Sequence, residues 1–313
     1  MERRRNPLTG ALAAGFTIVF LRVSRWLPLR FNRALAVPVG RVLARLVPRV
    51  RTVAMANLDL AFGDSISRDD KERIYRGVVD NISLIAAEFS HIAHIASGKA
   101  DEVVEVQGAD FLKKGQGYVC VGAHLGNWEL MGPAMAAHGF KVAAVVREFD
   151  NPRVNRLIDR IRRGGMVTTI PKDNGGKEIV RQLREGSLVG ILIDQSPREN
   201  GVPVTFFGAP CWATVAPAMI AVRAKMPVVP VALTRKPGNG GYLLRFYEPL
   251  SMIRTGNLRE DLVNYSQACQ DALERMVRET PEQWLWLHRR WKARPQLAAE
   301  WDRKPVHERK EPA

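Results

Sequence analysis

The chain has 313 residues, 46% hydrophobic and 25% charged, which excludes a disordered polymer and allows one large domain or two smaller ones. A formal net charge of +15 asks for an anionic counterpart, but aromatics make up only 7% and do not alternate with basic residues, so nucleic acid is not the expected one. Cys120, Cys211 and Cys269 lie far apart and are odd in number, which argues against a disulfide framework or a zinc site and for reduced thiols, with Cys120, in a strand pattern, read as a buried structural one.

In chain order, Arg3, Arg4 and Arg5 precede an uncharged run from Leu8 to Leu21, and Arg22, Arg25 and Arg30 follow it. The run is shorter than the roughly 20 apolar residues a span requires, and no small-residue cleavage site comes after it. Residues 1–30 therefore read as an uncleaved anchor that spans marginally or lies in the interface, with Trp26 at headgroup level. Residues 31–98 form a basic helical region. Its arginines (Arg33, Arg41, Arg45, Arg49, Arg51) suit either a cationic helix on a membrane surface or the solvated face of an ordinary one. Ser67, with Asp69 and Asp70 behind it, caps a helix expected to run through Asn81 to Ile95.

Residues 99–295 alternate strand and helix patterns. Strands are predicted from Val103, from Gly117, from Lys141, over 167–170, over 187–193, over 228–233 and over 242–247. Helices are predicted over 130–137, 151–163, 176–184, 215–224 and 261–280, while Phe206 to Cys211 reads as a hydrophobic turn. That alternation predicts an α/β domain with a central, mostly parallel sheet flanked by helices. Residues 296–313 are charged and read as a flexible tail.

The stretch from Gly117 to Glu129 begins as a buried strand and ends in His124 and Glu129, five positions apart. On one straight helix five residues would set the side chains about 140° apart, so the two can meet only across a turn, for which Gly122 and Gly126 supply freedom. A histidine oriented by a carboxylate is a general base near neutral pH. Functional groups in open α/β sheets sit past the carboxyl ends of strands, and two further strand ends carry polar residues: Arg147, and Asp194 with Gln195. No nucleotide-binding glycine loop and no Gly-x-Ser-x-Gly elbow is present, so the patterns imply no cofactor and no serine nucleophile. His91 and His94 sit in an apolar helical stretch and read as core or interfacial histidines rather than metal ligands.

Taken together, several blocks resemble the late acyltransferases of lipid A biosynthesis, the lauroyl/myristoyl transferase family, to which the phosphatidylinositol mannoside acyltransferases are related. They are His124-x4-Glu129, Arg147 to Pro152, Arg160-Ile-Arg162-Arg-Gly, Asp194-Gln195, Val204 to Gly208 and Pro281 to Lys292, all in the family order. The resemblance implies a glycerol-phosphate-acyltransferase-like fold behind a membrane anchor, and transfer of a fatty acyl chain from a thioester, acyl-carrier protein or coenzyme A, to a glycolipid hydroxyl. It implies His124 as general base, Glu129 as its partner and Arg162 as the family arginine, either an oxyanion donor or a phosphate-binding or surface group. Asn127, Arg147, Asp194 and Gln195 are the expected substrate-binding residues, with Asp194 alternatively bracing the site or capping a helix. The segments around Phe206, Phe207 and Val215 could line an acyl pocket or be ordinary core. The expected location is the cytoplasmic face of the inner membrane. A lysophospholipid or a phosphatidylinositol mannoside as acceptor, or a non-catalytic basic membrane-binding module, are the alternatives.

Overall fold

The computed structural model describes residues 7–97, 104–149, 151–173, 175–239, 241–252 and 254–303. Arg3 to Arg5, the start of the strand expected from Val103 and the last ten residues of the predicted tail lie outside them. Among the described residues five helices come first: α1 (Pro7–Trp26), α2 (Leu29–Leu46), α3 (Pro48–Phe62), α4 (Arg68–Phe89) and α5 (Ile92–Ser97). The α/β part follows as β1 (Val104–Gln107), β2 (Tyr118–Gly122), α6 (Trp128–Ala137), β3 (Val142–Val146), α7 (Pro152–Gly164), β4 (Val167–Pro171), α8 (Gly176–Arg184) and β5 (Leu188–Leu192). It continues with β6 (Gly201–Phe206), β7 (Ala209–Thr214), α9 (Ala216–Ala224), β8 (Val228–Arg235), β9 (Tyr242–Phe246), α10 (Leu258–Glu279) and α11 (Pro295–Arg303).

Seven strands form one sheet in the order β1-β9-β8-β2-β5-β3-β4. Only β8 and β9 run antiparallel to each other; the other neighbours are parallel, as the strand–helix alternation predicts. All five residues of β2 are buried, because its alternate side chains enter two cores on opposite faces of the sheet. Val119 and Val121 pack with α4, α10 and the tryptophans of the carboxyl-terminal motif; Tyr118 and Cys120 pack with α5 and α6. Burial pushes the Cys120 thiol up to about 12, which leaves it a protonated packing group.

Four local predictions needed correction. The helix beginning at Arg68 stops at Phe89 and restarts at Ile92; between them His91 turns back so that Nε2 lies 2.9 Å from the Ser24 carbonyl oxygen. The basic stretch is split between two helices: α2 ends at Leu46, and α3 starts with Pro48 at its first position and carries Arg49 and Arg51. The expected turn at Phe206 to Cys211 is the tip of a β6–β7 hairpin whose central residues Phe207 and Gly208 both have positive φ, 52° and 71°. Such a turn ordinarily takes Asn-Gly, and here Phe207 is held by the Arg278 guanidinium 4.4 Å from its ring centre and by the rings of Phe62 and Trp286. The Phe206–Phe207 segment is therefore ordinary aromatic core. The start of the predicted tail is helical as far as Arg303, because Leu297 is buried and Arg259 stacks 4.0 Å from the Trp301 ring.

At the amino terminus, α1 turns Ala14 and Leu21 onto Val154 and Ile158 of α7, while Phe16, Val19, Phe20, Val23 and Trp26 face outward. Leu35, Val39, Val42, Leu43 and Leu46 of α2 are likewise exposed. No described helix is long and apolar enough to cross a membrane.

The turn after β2 depends on Gly126, whose φ is +60° and whose notional Cβ would lie 1.9 Å from the Leu233 carbonyl oxygen. Gly126→Ala should lower the unfolding free energy by more than about 1 kcal/mol, read as a lower denaturant midpoint; an unchanged midpoint would show that the turn can be rebuilt without cost.

Candidate active site

β2 and β5 are adjacent parallel strands, so the residues that follow them emerge side by side at the carboxyl edge of the sheet. His124 leaves β2 and Asp194 leaves β5. Although they are 70 positions apart in the chain, His124 Nδ1 lies 2.8 Å from Asp194 Oδ1 and the His124 backbone N–H donates to Asp194 Oδ2 at 2.9 Å. The Trp284 indole Nε1–H donates to the same Oδ2 at 2.8 Å. Asp194 is fully buried, so three donors converge on a carboxylate that has no water to solvate it.

The charge states follow from these contacts. Burial alone would raise the Asp194 carboxyl, but the charge and hydrogen bonds of His124 outweigh it and hold Asp194 far below the usual carboxylate range. Burial alone would lower His124; the Asp194 carboxylate and its hydrogen bond, with the charge of Glu129 added, raise the imidazole above its ordinary 6.5. The nearby His288, whose ring nitrogens face the Asp194 and Leu285 carbonyl oxygens, is pushed the other way by burial. Donation from Nδ1 to Asp194 fixes the neutral His124 tautomer with its lone pair on Nε2. The side chain keeps 21% exposure, enough for a reactant to reach it, and Trp128 packs edge-on with ring centres 5.1 Å apart.

Glu129 does not hold the imidazole. The turn ends in α6, capped by the Asn127 side chain, and this carries Glu129 round to face α7, where it accepts from Arg162 Nε at 3.0 Å and Nη2 at 2.8 Å. Glu129 remains close enough for its charge to raise His124. The pair also settles which arginine of the Arg160-Ile-Arg162-Arg run points inward: the Arg162 side chain is 17% exposed, whereas Arg163 points outward at 69% and pairs with Asp159. Two of the five guanidinium N–H groups of Arg162 go to Glu129, which leaves three for another acceptor.

The four residues expected to bind substrate fall in different places. Asp194 is the orienting carboxylate of His124. Asn127 is 1% exposed and its amide is committed at both ends, to Glu88 Oε2 at 2.7 Å and to the Leu130 N–H at 3.1 Å, so it holds the loop. Arg147, just past β3, and Gln195, next to Asp194, are exposed at the same edge of the sheet. The carboxyl-terminal tryptophan motif gains a role that periodicity did not reveal. The Leu285 N–H donates to the His124 carbonyl at 3.0 Å and the Gly126 N–H to the Gln283 carbonyl at 3.1 Å, so the motif runs as a strap along the His124 loop. The clue in the sequence is only its density of indoles, which carry both a hydrogen-bond donor and a large apolar surface.

Comparison with known proteins shows the family of the chain. Residues 5–293 match the family model described as bacterial lipid A biosynthesis acyltransferase. A lipid A biosynthesis acyltransferase of Haemophilus influenzae is 24% identical over 91% of this chain and 93% of its own length. The lipid A biosynthesis palmitoleoyltransferase of Escherichia coli is 24% identical over 82% of this chain and 83% of its own. Among solved structures, the 1-acyl-sn-glycerophosphate acyltransferase PlsC of Thermotoga maritima superposes at a TM-score of 0.37 with 14% identity, over 80% of this chain and 97% of that one. The chain belongs to the bacterial lipid A biosynthesis acyltransferase family and is an acyltransferase.

Proposed function

We propose that the protein transfers a fatty acyl chain from acyl-carrier protein to a hydroxyl of a lipid A precursor, at the cytoplasmic face of the inner membrane. The observation that carries this reading is the His124–Asp194 pair, with Nε2 free at a partly open edge of the sheet. In the reaction Nε2 removes the acceptor hydroxyl proton as the oxygen attacks the thioester carbonyl. The buried Asp194 carboxylate stabilises the imidazolium so formed. The tetrahedral oxyanion takes hydrogen bonds from the remaining N–H groups of Arg162, whose charge is kept in place by Glu129. Collapse then breaks the C–S bond, and the imidazolium returns its proton to the departing thiolate.

Surface chemistry supports the choice of partners. Arg153, Arg156 and Arg160 are exposed on α7, the helix that supplies Arg162, and would attract an acidic carrier or a phosphorylated acceptor. The outward apolar residues of α1 and α2, flanked by Arg22, Arg25, Arg30 and Arg45, suit a seat in the headgroup layer. Arg147 and Gln195, both exposed, would meet the anionic acceptor at the site's rim.

His124→Ala is expected to reduce transfer from radiolabelled acyl-carrier protein at least about a thousandfold while leaving vesicle binding intact; full transfer would refute the base assignment. For Asp194→Asn, turnover should fall by about 10³ to 10⁴. Because Asp194 raises His124 and only the neutral imidazole is a base, the acid limb of the kcat/KM profile should also move to lower pH in that variant. A limb that stays put would mean another group titrates. Leu43→Glu combined with Leu46→Glu should release the protein from anionic vesicles, measured by flotation; retention would locate the membrane seat elsewhere.

A further inference from the structure

The loop from His124 to Glu129 is fastened by a second polar cluster that touches neither of them. At its centre is Glu88 of α4, a carboxylate with no exposure. It accepts from Arg235 Nη1 and Nη2 at 2.8 and 2.7 Å, from Arg33 Nε at 2.7 Å and from the Asn127 amide at 2.7 Å. Arg235 also donates through Nε to Asn81 Oδ1 at 2.9 Å, and the Asn81 amide in turn donates to the Gly126 and Gln283 carbonyls at 3.0 and 3.1 Å. The Gln283 side chain closes the circuit, accepting from the Arg235 N–H at 2.8 Å and donating to the Arg235 carbonyl at 3.1 Å. The cluster thus joins α2, α4, β8 and the tryptophan strap, and its loop-facing bonds end on Gly126 and Asn127, midway between His124 and Glu129.

A buried ion cluster is a poor way to gain stability, because desolvation consumes most of the Coulomb attraction and apolar packing would serve as well. What it supplies is direction, since each hydrogen bond is satisfied in only one placement of the loop. The backbone at Gly126 and Asn127 is the part that most needs this, because there the chain must turn from strand to helix with a positive φ.

We propose that Glu88 is a positioning residue for acyl transfer: anchored by Arg235 and Arg33, it fixes Asn127 and so sets the base on one side of the turn against the Glu129–Arg162 pair on the other. The proposal rests on the acyl-transfer reading for its kinetic consequence and on the loop alone for its structural one.

The test compares full-length wild type, Glu88→Gln and Leu183→Ala. Leu183 is buried in α8 against Gly117, before β2 and so at the opposite end of that strand from His124, and its truncation gives a destabilised control. Glu88→Gln should lower kcat by about ten- to a hundredfold with KM for the acceptor within about twofold. Amide hydrogen exchange should quicken in the peptide covering residues 123–130. Leu183→Ala should lose thermal stability while keeping wild-type kcat and loop protection. The proposal is overturned if Glu88→Gln keeps wild-type protection of that peptide or wild-type kcat, or if Leu183→Ala, matched in melting temperature, loses kcat equally. A wild-type protein that transfers no acyl group would refute the reaction, and the exchange comparison would then decide the clamp by itself.

Discussion

The site depends on one buried carboxylate. Asp194 has no exposure, and it can stay ionised only because the His124 ring and amide and the Trp284 indole surround it with donors. That single requirement orders much of the neighbourhood. β2 must lie next to β5 so that the two strand ends meet, and the tryptophan strap must return across the sheet to deliver its indole. The histidine, once oriented, has its second nitrogen left for chemistry.

Two ion clusters then divide the work around that pair. The Glu129–Arg162 pair is half-open, joins α6 to α7 and holds a guanidinium with donors to spare. The Glu88–Arg235–Arg33 cluster is centred on a fully buried carboxylate, with Arg33 reaching the surface, and ties the amino-terminal helices to the loop between His124 and that pair. In both, an arginine rather than a lysine is used, and the planar fork explains why: each binds its carboxylate through two N–H groups, which fixes orientation as well as charge. The helical region that precedes the α/β part consequently helps to hold the His124 loop, since α4 packs into the same core as β2.

Much of this was legible in the sequence wherever the signal is local. The apolar runs of β2 and β5, the basic face of α7 and the capping serine before α4 all follow from periodicity and end signals. His124 was legible because a strand passes into glycines beside it. The role of Asp194 was not, because sequence spacing favours Glu129, five positions away, over a carboxylate 70 positions away that only strand order brings within hydrogen-bonding distance. Asn127 reads as a polar loop residue open to substrate; its burial is set by Glu88, on a helix 39 positions earlier. The β6–β7 hairpin is not legible in the sequence because its turn has an aromatic where such turns ordinarily have asparagine, and the ring contacts that hold Phe207 come from distant elements.

Whether Asp194 holds the neutral His124 imidazole with Nε2 free can be read directly from the ring nitrogens. In protein labelled with ¹⁵N-histidine, nitrogen chemical shifts at pH above the His124 titration should show Nδ1 protonated and Nε2 bare, with a downfield Nδ1 proton that disappears in Asp194→Asn. A resting His124 protonated at Nε2 instead, or a tautomer indifferent to loss of the Asp194 carboxylate, would contradict the account.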